Sequence, residues 1–140
     1  FLIFEFSHAE RYAEKNIVRN SADNVRLITG DIFESAGADK KYDLIVSNPP
    51  YIPENEMDTV SPETKYEPET ALKGGKDGLI FYRAIINNYK SAIKEDGIMA
   101  FEAGAGEAEA VLSLLKDAGF KDTGTVNDLN GIKRVVFASL

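Results

Sequence analysis

Four short apolar runs, separated by polar breaks and segments of helical spacing, limit the folds open to this chain. "FLIFEF" (1–6), "NVRLITGD" (24–31), "YDLIVS" (42–47) and "GIMAFEAG" (97–104) have the length and the β-prone residues of buried strands. "YDLIVS" is apolar enough to be covered on both faces. Between the runs the period changes. Ser7 and Glu10 form an S-x-x-E capping box, followed by Ala9, Tyr12, Ala13 and Ile17 at helical spacing. Asp77 stands where it can cap a helix with Leu79, Tyr82, Ile86, Tyr89 and Ile93 on one face. Ala108, Val111, Leu112 and Leu115 mark a further helix, ended by Gly119. "FKDTGTV" and "IKRVVFASL" read as a closing pair of strands around "NDLNG". The order β-α-β-β-α-β-α-β-β implies an α/β domain: a mostly parallel sheet with helices on both faces and an antiparallel excursion at its C-terminal edge.

Size and charge narrow the function. The 140 residues suffice for one domain with a real core. The net charge of −7 makes the chain a poor candidate for tracking nucleic-acid backbones. Without cysteine there is no disulfide and no thiolate metal site, and no metal is expected. No apolar run approaches the length of a membrane span, and no signal-peptide pattern is present, so the expected compartment is the cytoplasm. The chain starts at Phe1 inside an apolar run, which suggests part of something longer.

Ligands of such sheets bind at the carboxyl ends of the strands. That rule selects Glu5, Asp31, Asn48 and Glu102. Glu5 can accept hydrogen bonds from vicinal ribose hydroxyls, or it can be an acid favoured before a helix N-terminus. Asp31 can accept an adenine amino proton, or it can be a turn residue or helix cap. Glu102 is a site carboxylate or a cap for the next helix.

Asn48-Pro49-Pro50-Tyr51 asks for more explanation than a turn supplies. The prolines stop the strand and remove two backbone donors. A chemistry that orients a planar –NH₂ accounts for all four residues. Asn48 Oδ1 accepts one N–H, a carbonyl of the Pro-Pro segment accepts the other, and Tyr51 covers one face of the amide or base. Residues 48–78 beyond it show no clear periodicity, as functional or mobile segments often do.

"SNPPYIP", "EP" at 67–68 and "ALKGGKDGLIFYRAI" (71–85), with "GDIFE", "FEAG" and "NDLNGIKRVV" at corresponding places, resemble the release-factor glutamine methyltransferases, a family of class I S-adenosylmethionine-dependent methyltransferases. Asn-Pro-Pro-Tyr alone is shared with DNA adenine methyltransferases; the block from Glu67 to Arg83 is more specific. The resemblance implies a Rossmann-like class I methyltransferase fold and S-adenosyl-L-methionine as methyl donor. It implies that Glu5 holds the donor's ribose, that Asp31 and Ile32 border the adenine, and that Asn48 contacts both donor and substrate. Asn48, Pro49, Pro50 and Tyr51 would form the catalytic and substrate-binding segment for the glutamine of a Gly-Gly-Gln motif in a peptide-chain release factor. Members of the family usually carry Asp where Glu5 stands.

The family's first strand and Gly-rich donor loop would precede Phe1, so residues 1–140 are expected to be the C-terminal part of a catalytic methyltransferase domain. Two alternatives remain: a nucleic-acid adenine-N6 methyltransferase, and an inactive fragment lacking donor binding. The family's strand order, 3-2-1-4-5-7-6, puts that first strand between "FLIFEF" and "YDLIVS". Of the arrangements open to these two runs, the expected one keeps them apart rather than pairing them directly.

Overall fold

The structure is a computed structural model that describes residues 2–4, 7–60 and 67–140, with side-chain surroundings from Ala9 onward. The expected capping role of Ser7 and the candidate Glu5 lie outside what it describes. Its elements run β1 (Leu2–Phe4), α1 (Ser7–Arg19), β2 (Leu27–Thr29), β3 (Tyr42–Ser47), α2 (Ile80–Tyr89), β4 (Ile93–Glu102), α3 (Ala108–Asp117), β5 (Thr123–Asn127) and β6 (Lys133–Ser139). The strands form a parallel pair, β1 with β2, and a four-stranded sheet in the order β3-β4-β6-β5. Pairing of β3 with β4 is parallel, and β6 runs antiparallel to both β4 and β5. Within the four-stranded sheet β6 alone therefore runs against the other three, and the reversal lies at the C-terminal side of the sheet, as the closing pair of runs implied.

The two groups reproduce the expected succession 3-2 and 4-5-7-6. Among the described residues no pairing joins β1 to β3. The short turn Ile32–Glu34 instead links the two groups by packing on α2. Asn88 Nδ2 donates to the Ile32 carbonyl at 2.8 Å, and the Tyr89 hydroxyl donates to the Ala36 carbonyl at 2.8 Å.

The core lies between one face of the four-stranded sheet and the helices α2 and α3. Met99 and Phe101 of β4, and Val136 and Ala138 of β6, are buried there. They meet Tyr82, Ile85, Ile86 and Tyr89 of α2, and Val111, Leu112 and Leu115 of α3. Tyr82 and Phe101 pack edge to face, with ring centroids 5.4 Å apart.

Three expectations need correction. Ile93 belongs to β4, not to the helix face that reaches Tyr89. The chain tightens at Lys90–Ala92 and becomes extended at Ile93 (φ −76°, ψ 138°), which pairs with Tyr42. Ile93 is buried because β4 starts beneath α2, so a strand residue falls in step with the helical stripe. β2 is shorter than the run "NVRLITGD", since only Leu27–Thr29 face a partner strand. Among the described residues α2 and α3 cover one face of β3, and Leu44 and Val46 on its other face are 54% and 67% exposed in this chain. Among the described residues no helix is long and apolar enough to cross a membrane.

Candidate active site

β3 ends at Ser47, and the next four residues turn across the carboxyl end of the sheet. Asn48 is exposed, and its side chain has no hydrogen-bonding partner among the described residues. Pro49 is buried, and Pro50 and Tyr51 are half-buried. The segment is held from its far end. The Ile52 amide donates to the Leu72 carbonyl at 2.9 Å, and the Gly74 amide donates to the Ile52 carbonyl at 2.8 Å. The Glu54 amide donates to the Gly75 carbonyl at 2.9 Å. Residues 72–75 thus run beside 52–54 as a miniature ladder, with a parallel bridge between Ile52 and Lys73.

The glycines of "KGGKDG" make this contact possible. A Cβ on Gly74 would stand 2.8 Å from the Tyr51 carbonyl carbon and from Gly78 Cα. One on Gly78, whose φ is +76°, would stand 2.5 Å from the Tyr51 carbonyl oxygen. One on Gly104, at the end of β4, would stand 2.9 Å from Tyr51 Cδ2. Only glycine permits such approach of backbone to backbone and ring. Asp77 closes the turn: its Oδ1 accepts from the Leu79 amide at 3.2 Å, and Arg83 reaches both carboxylate oxygens, at 3.1 and 2.6 Å. The Arg83 guanidinium holds the Asp77 carboxyl down at about 2, with the Leu79 amide adding to it.

Asn48, Pro49, Pro50, Tyr51 and Ile52 line one wall of a cleft, and Glu67, Ala71 and Leu72 line the other. The cleft has a volume of about 240 Å³. Acidic residues are frequent nearby in sequence: Glu54, Glu56, Asp58, Glu67 and Glu69. The Glu69 carboxylate pairs with Lys73 at 2.5 Å.

The other sequence candidates are distributed as follows. Asp31 is half-buried beyond β2 and caps the turn Ile32–Glu34: Oδ1 accepts from the Phe33 amide at 2.7 Å, and Oδ2 has no partner among the described residues. Ile32 is half-buried and packs against the core. Glu102 pairs with Val135 on β6, and its carbonyl accepts from the Tyr82 hydroxyl at 2.8 Å. Glu107 occupies the position before α3 but its side chain does not cap that helix; its Oε2 accepts instead from the Gly104 amide at 3.1 Å. Sequence reasoning passed over Glu107. The signal for it was Gly104-Ala105-Gly106, a tight break between strand and helix that brings the acid back onto the strand end.

Comparison with known proteins agrees with this geometry. Residues 3–101 match the family model described as Eco57I restriction-modification methylase. A release factor glutamine methyltransferase of Geobacter sulfurreducens is 46% identical over 125 residues, 89% of this chain and 43% of that protein. One from Thermodesulfovibrio yellowstonii is 39% identical over 140 residues, covering 97% of this chain and 50% of that protein. The chain thus spans about half the length, or less, of the curated relatives it matches. A methyltransferase from Pyrococcus furiosus superposes with a TM-score of 0.72 at 20% identity, over 97% of this chain and 59% of that one. A TehB-like SAM-dependent methyltransferase from Corynebacterium glutamicum does so with a TM-score of 0.56 at 17% identity, over 98% and 65%. These two share the fold, and the superposition on the first takes in nearly all of the chain, both strand groups in the same frame. Matched by a methylase model over most of its length and by release factor glutamine methyltransferases along nearly all of it, the chain belongs to the release factor glutamine methyltransferase family, with a methyltransferase α/β fold.

Proposed function

We propose that the whole protein transfers a methyl group from S-adenosyl-L-methionine to the side-chain amide nitrogen of glutamine in the Gly-Gly-Gln motif of peptide-chain release factors. The observation that carries this reading is the Asn48–Tyr51 cleft. It offers an Asn amide with no other partner among the described residues, and proline has removed competing backbone donors. The names of the relatives support the same substrate.

The described residues fit the adenosine half of the donor. Asp31 sits half-buried past the end of β2 with Oδ2 free to accept an amino proton, and Ile32 supplies apolar surface beside it. Glu5, the ribose ligand in this reading, follows β1, whose end is in register with that of β2. The donor supplies a sulfonium methyl, which is electrophilic without further activation. The protein's task is to aim a weak nucleophile. Asn48 Oδ1 accepts one amide N–H and a carbonyl of the Pro49-Pro50 pair accepts the other, which removes rotational freedom and points the nitrogen at the methyl. Both acceptors bind the nitrogen more strongly as it gains positive charge, so they favour the transition state over the ground state. Tyr51 covers a face of the amide. The proton leaves after transfer, when the nitrogen is far more acidic, so no strong base is required.

The match to a restriction-modification methylase favours a second reading, methylation of adenine N6 in nucleic acid. It would use the same acceptors on another planar –NH₂. The net charge of −7 and the acids around the cleft oppose it, since DNA binding draws on cationic contacts to phosphate. The whole protein, incubated with labelled donor and either a release factor or duplex DNA, distinguishes the two. Label on the glutamine of the release factor, located by peptide mass, is the expected result. Label on DNA alone would replace the first reading by the second.

A further inference from the structure

Glu107 is a half-buried carboxylate for which the reaction above has no use. It stands just before α3, and Oε2 accepts the Gly104 amide at 3.1 Å. The other oxygen points across to the glycine turn that precedes α2. A Cβ on Gly78 would lie 2.3 Å from Glu107 Oε1 and 2.5 Å from the Tyr51 carbonyl oxygen, so both oxygens crowd the same glycine. Gly104 is likewise shared: its Cβ would lie 2.6 Å from Glu107 Oε2 and 2.9 Å from Tyr51 Cδ2. One carboxyl group is therefore packed against two of the three glycines that press on Tyr51, Gly78 and Gly104.

The setting is unfavourable for a charge. No described cation pairs with Glu107, and the groups nearest in electrostatic terms are Glu56, Asp77 and the Tyr82 hydroxyl. Burial pushes its carboxyl above the usual carboxylate range. The Gly104 amide opposes that rise, and Glu56 and Asp77 reinforce it. A side chain that only filled space here would do so at less cost without the acid. Downstream of Asn48 the chain is stiff, because two prolines fix φ near −65°. With two of the intervening φ angles fixed, less of a displacement at Tyr51 can be absorbed before it reaches Asn48.

We propose that Glu107 is a positioning residue for the Asn48–Tyr51 segment: by tying the turn after β4 to the glycine turn before α2, it fixes the Tyr51 ring and carbonyl, and through them the direction of Asn48. Its kinetic consequence rests on the reading of Asn48–Tyr51 as the amide site. Its structural consequence does not.

The test uses the whole protein with Glu107→Ala, Glu107→Gln and, as a control on the same helix, Glu109→Gln. Amide hydrogen exchange at Ile52, Glu54 and Gly74 needs no substrate. Glu107→Ala is expected to speed it about tenfold or more, while the β4–β6 ladder stays protected. In methyl transfer to a Gly-Gly-Gln peptide, Glu107→Ala is expected to lower kcat by about tenfold or more, with the KM for donor within about twofold of the parent's. Glu107→Gln keeps an acceptor for the Gly104 amide and is expected to retain most of kcat; Glu109→Gln is expected to match the parent. Parent-like exchange at Ile52 and Gly74 in Glu107→Ala overturns the proposal, as does a parent-like kcat, or a Glu107→Gln as impaired as Glu107→Ala. A parent protein that does not methylate the peptide refutes the proposed function, and exchange still decides the role of Glu107.

Discussion

The two ends of one short segment are built on opposite principles. At Tyr51 the chain is clasped by three glycines, a miniature ladder and a carboxylate. At Asn48, three residues upstream, the side chain is exposed and touches nothing that could compete for its hydrogen bonds. The difference teaches how a site can hold a reactive group in place without using it up. In the proposed reading, rigidity is supplied from the Tyr51 end, which does no chemistry, to the Asn48 end, which does, with a pair of prolines between them. A buried, fully bonded Asn48 would be equally rigid but unavailable to a ligand.

The sharpest way to break this contrast is to cut each end and see which property fails. Asn48→Ala is expected to reduce methyl transfer by the whole protein on the order of 10²–10³-fold, as loss of one oriented acceptor does. Its thermal midpoint should stay at the parent's value, since Asn48 makes no bond that folding depends on; a large loss of stability would show that Asn48 is structural. Gly78→Ala is expected to do the converse. It places a Cβ at positive φ against the Tyr51 carbonyl and Glu107, and overpacking of this kind costs about 1–3 kcal/mol in denaturant unfolding. An unchanged midpoint would mean that the clasp is slack.

A smaller effect separates the turn from the clasp. Leu79, not Asp77 as expected, stands at the N-cap of α2, and Asp77 bonds its amide as a local turn; Asp77→Ala removes that bond and a partner of Arg83, and a hydrogen bond of this kind is worth about 1 kcal/mol. About half of the Asp77 side chain is exposed, so its ion pair is screened and adds less than the geometry suggests. Because the folded-state pKa of Asp77 is depressed to about 2, its contribution is present above the usual carboxylate range. It is lost as pH falls from that range through about 2, so the gap between parent and Asp77→Ala should close on acidification. The smallest effect is expected at Glu69→Gln. Its exposed pair with Lys73 should leave both melting and methyl transfer unchanged, which would place the boundary of the clasp inside residue 72.

Legibility in the sequence followed the distance over which residues cooperate. β3 was readable to the residue, because an apolar run bounded by Lys41 and Asn48 marks its own ends. The stripe Tyr82-Ile86-Tyr89 gave α2, but Ile93 continued the same spacing, and only the extended backbone at that residue separates helix from strand. Asn48 to Tyr51 stood out because four contiguous residues shared one chemical explanation. Gly74, Gly78 and Gly104 carry no sign in the sequence of what presses against them, since Tyr51 lies far from all three along the chain. Glu107 was hidden for the same reason: its two glycine neighbours belong to different turns, and folding alone brings them to one carboxylate. Asp31 showed its capping role in the structure, and that role leaves its other oxygen without a partner among the described residues. The uncovered face of β3 at Leu44 and Val46 was not legible, because an apolar strand reads alike whether one side is covered or both.

β6 lies between β4 and β5, although it follows both in the chain. It supplies the only ladder partner that β5 has among the described residues, and it supplies one of the two partners of β4. The sheet is thus closed like an arch, with its keystone set last. During synthesis Thr123–Asn127 emerges with nothing to pair with, and it stays so until Lys133–Ser139 follows across the short Asp128–Ile132 turn. When that strand docks, two ladders form together, and with them Val136 and Ala138 enter the core. Loss of Lys133–Ser139 would therefore remove more than one strand: it would leave β5 adrift, an open edge on β4 and a core lacking part of its floor, a species marked for proteolysis by the backbone it exposes.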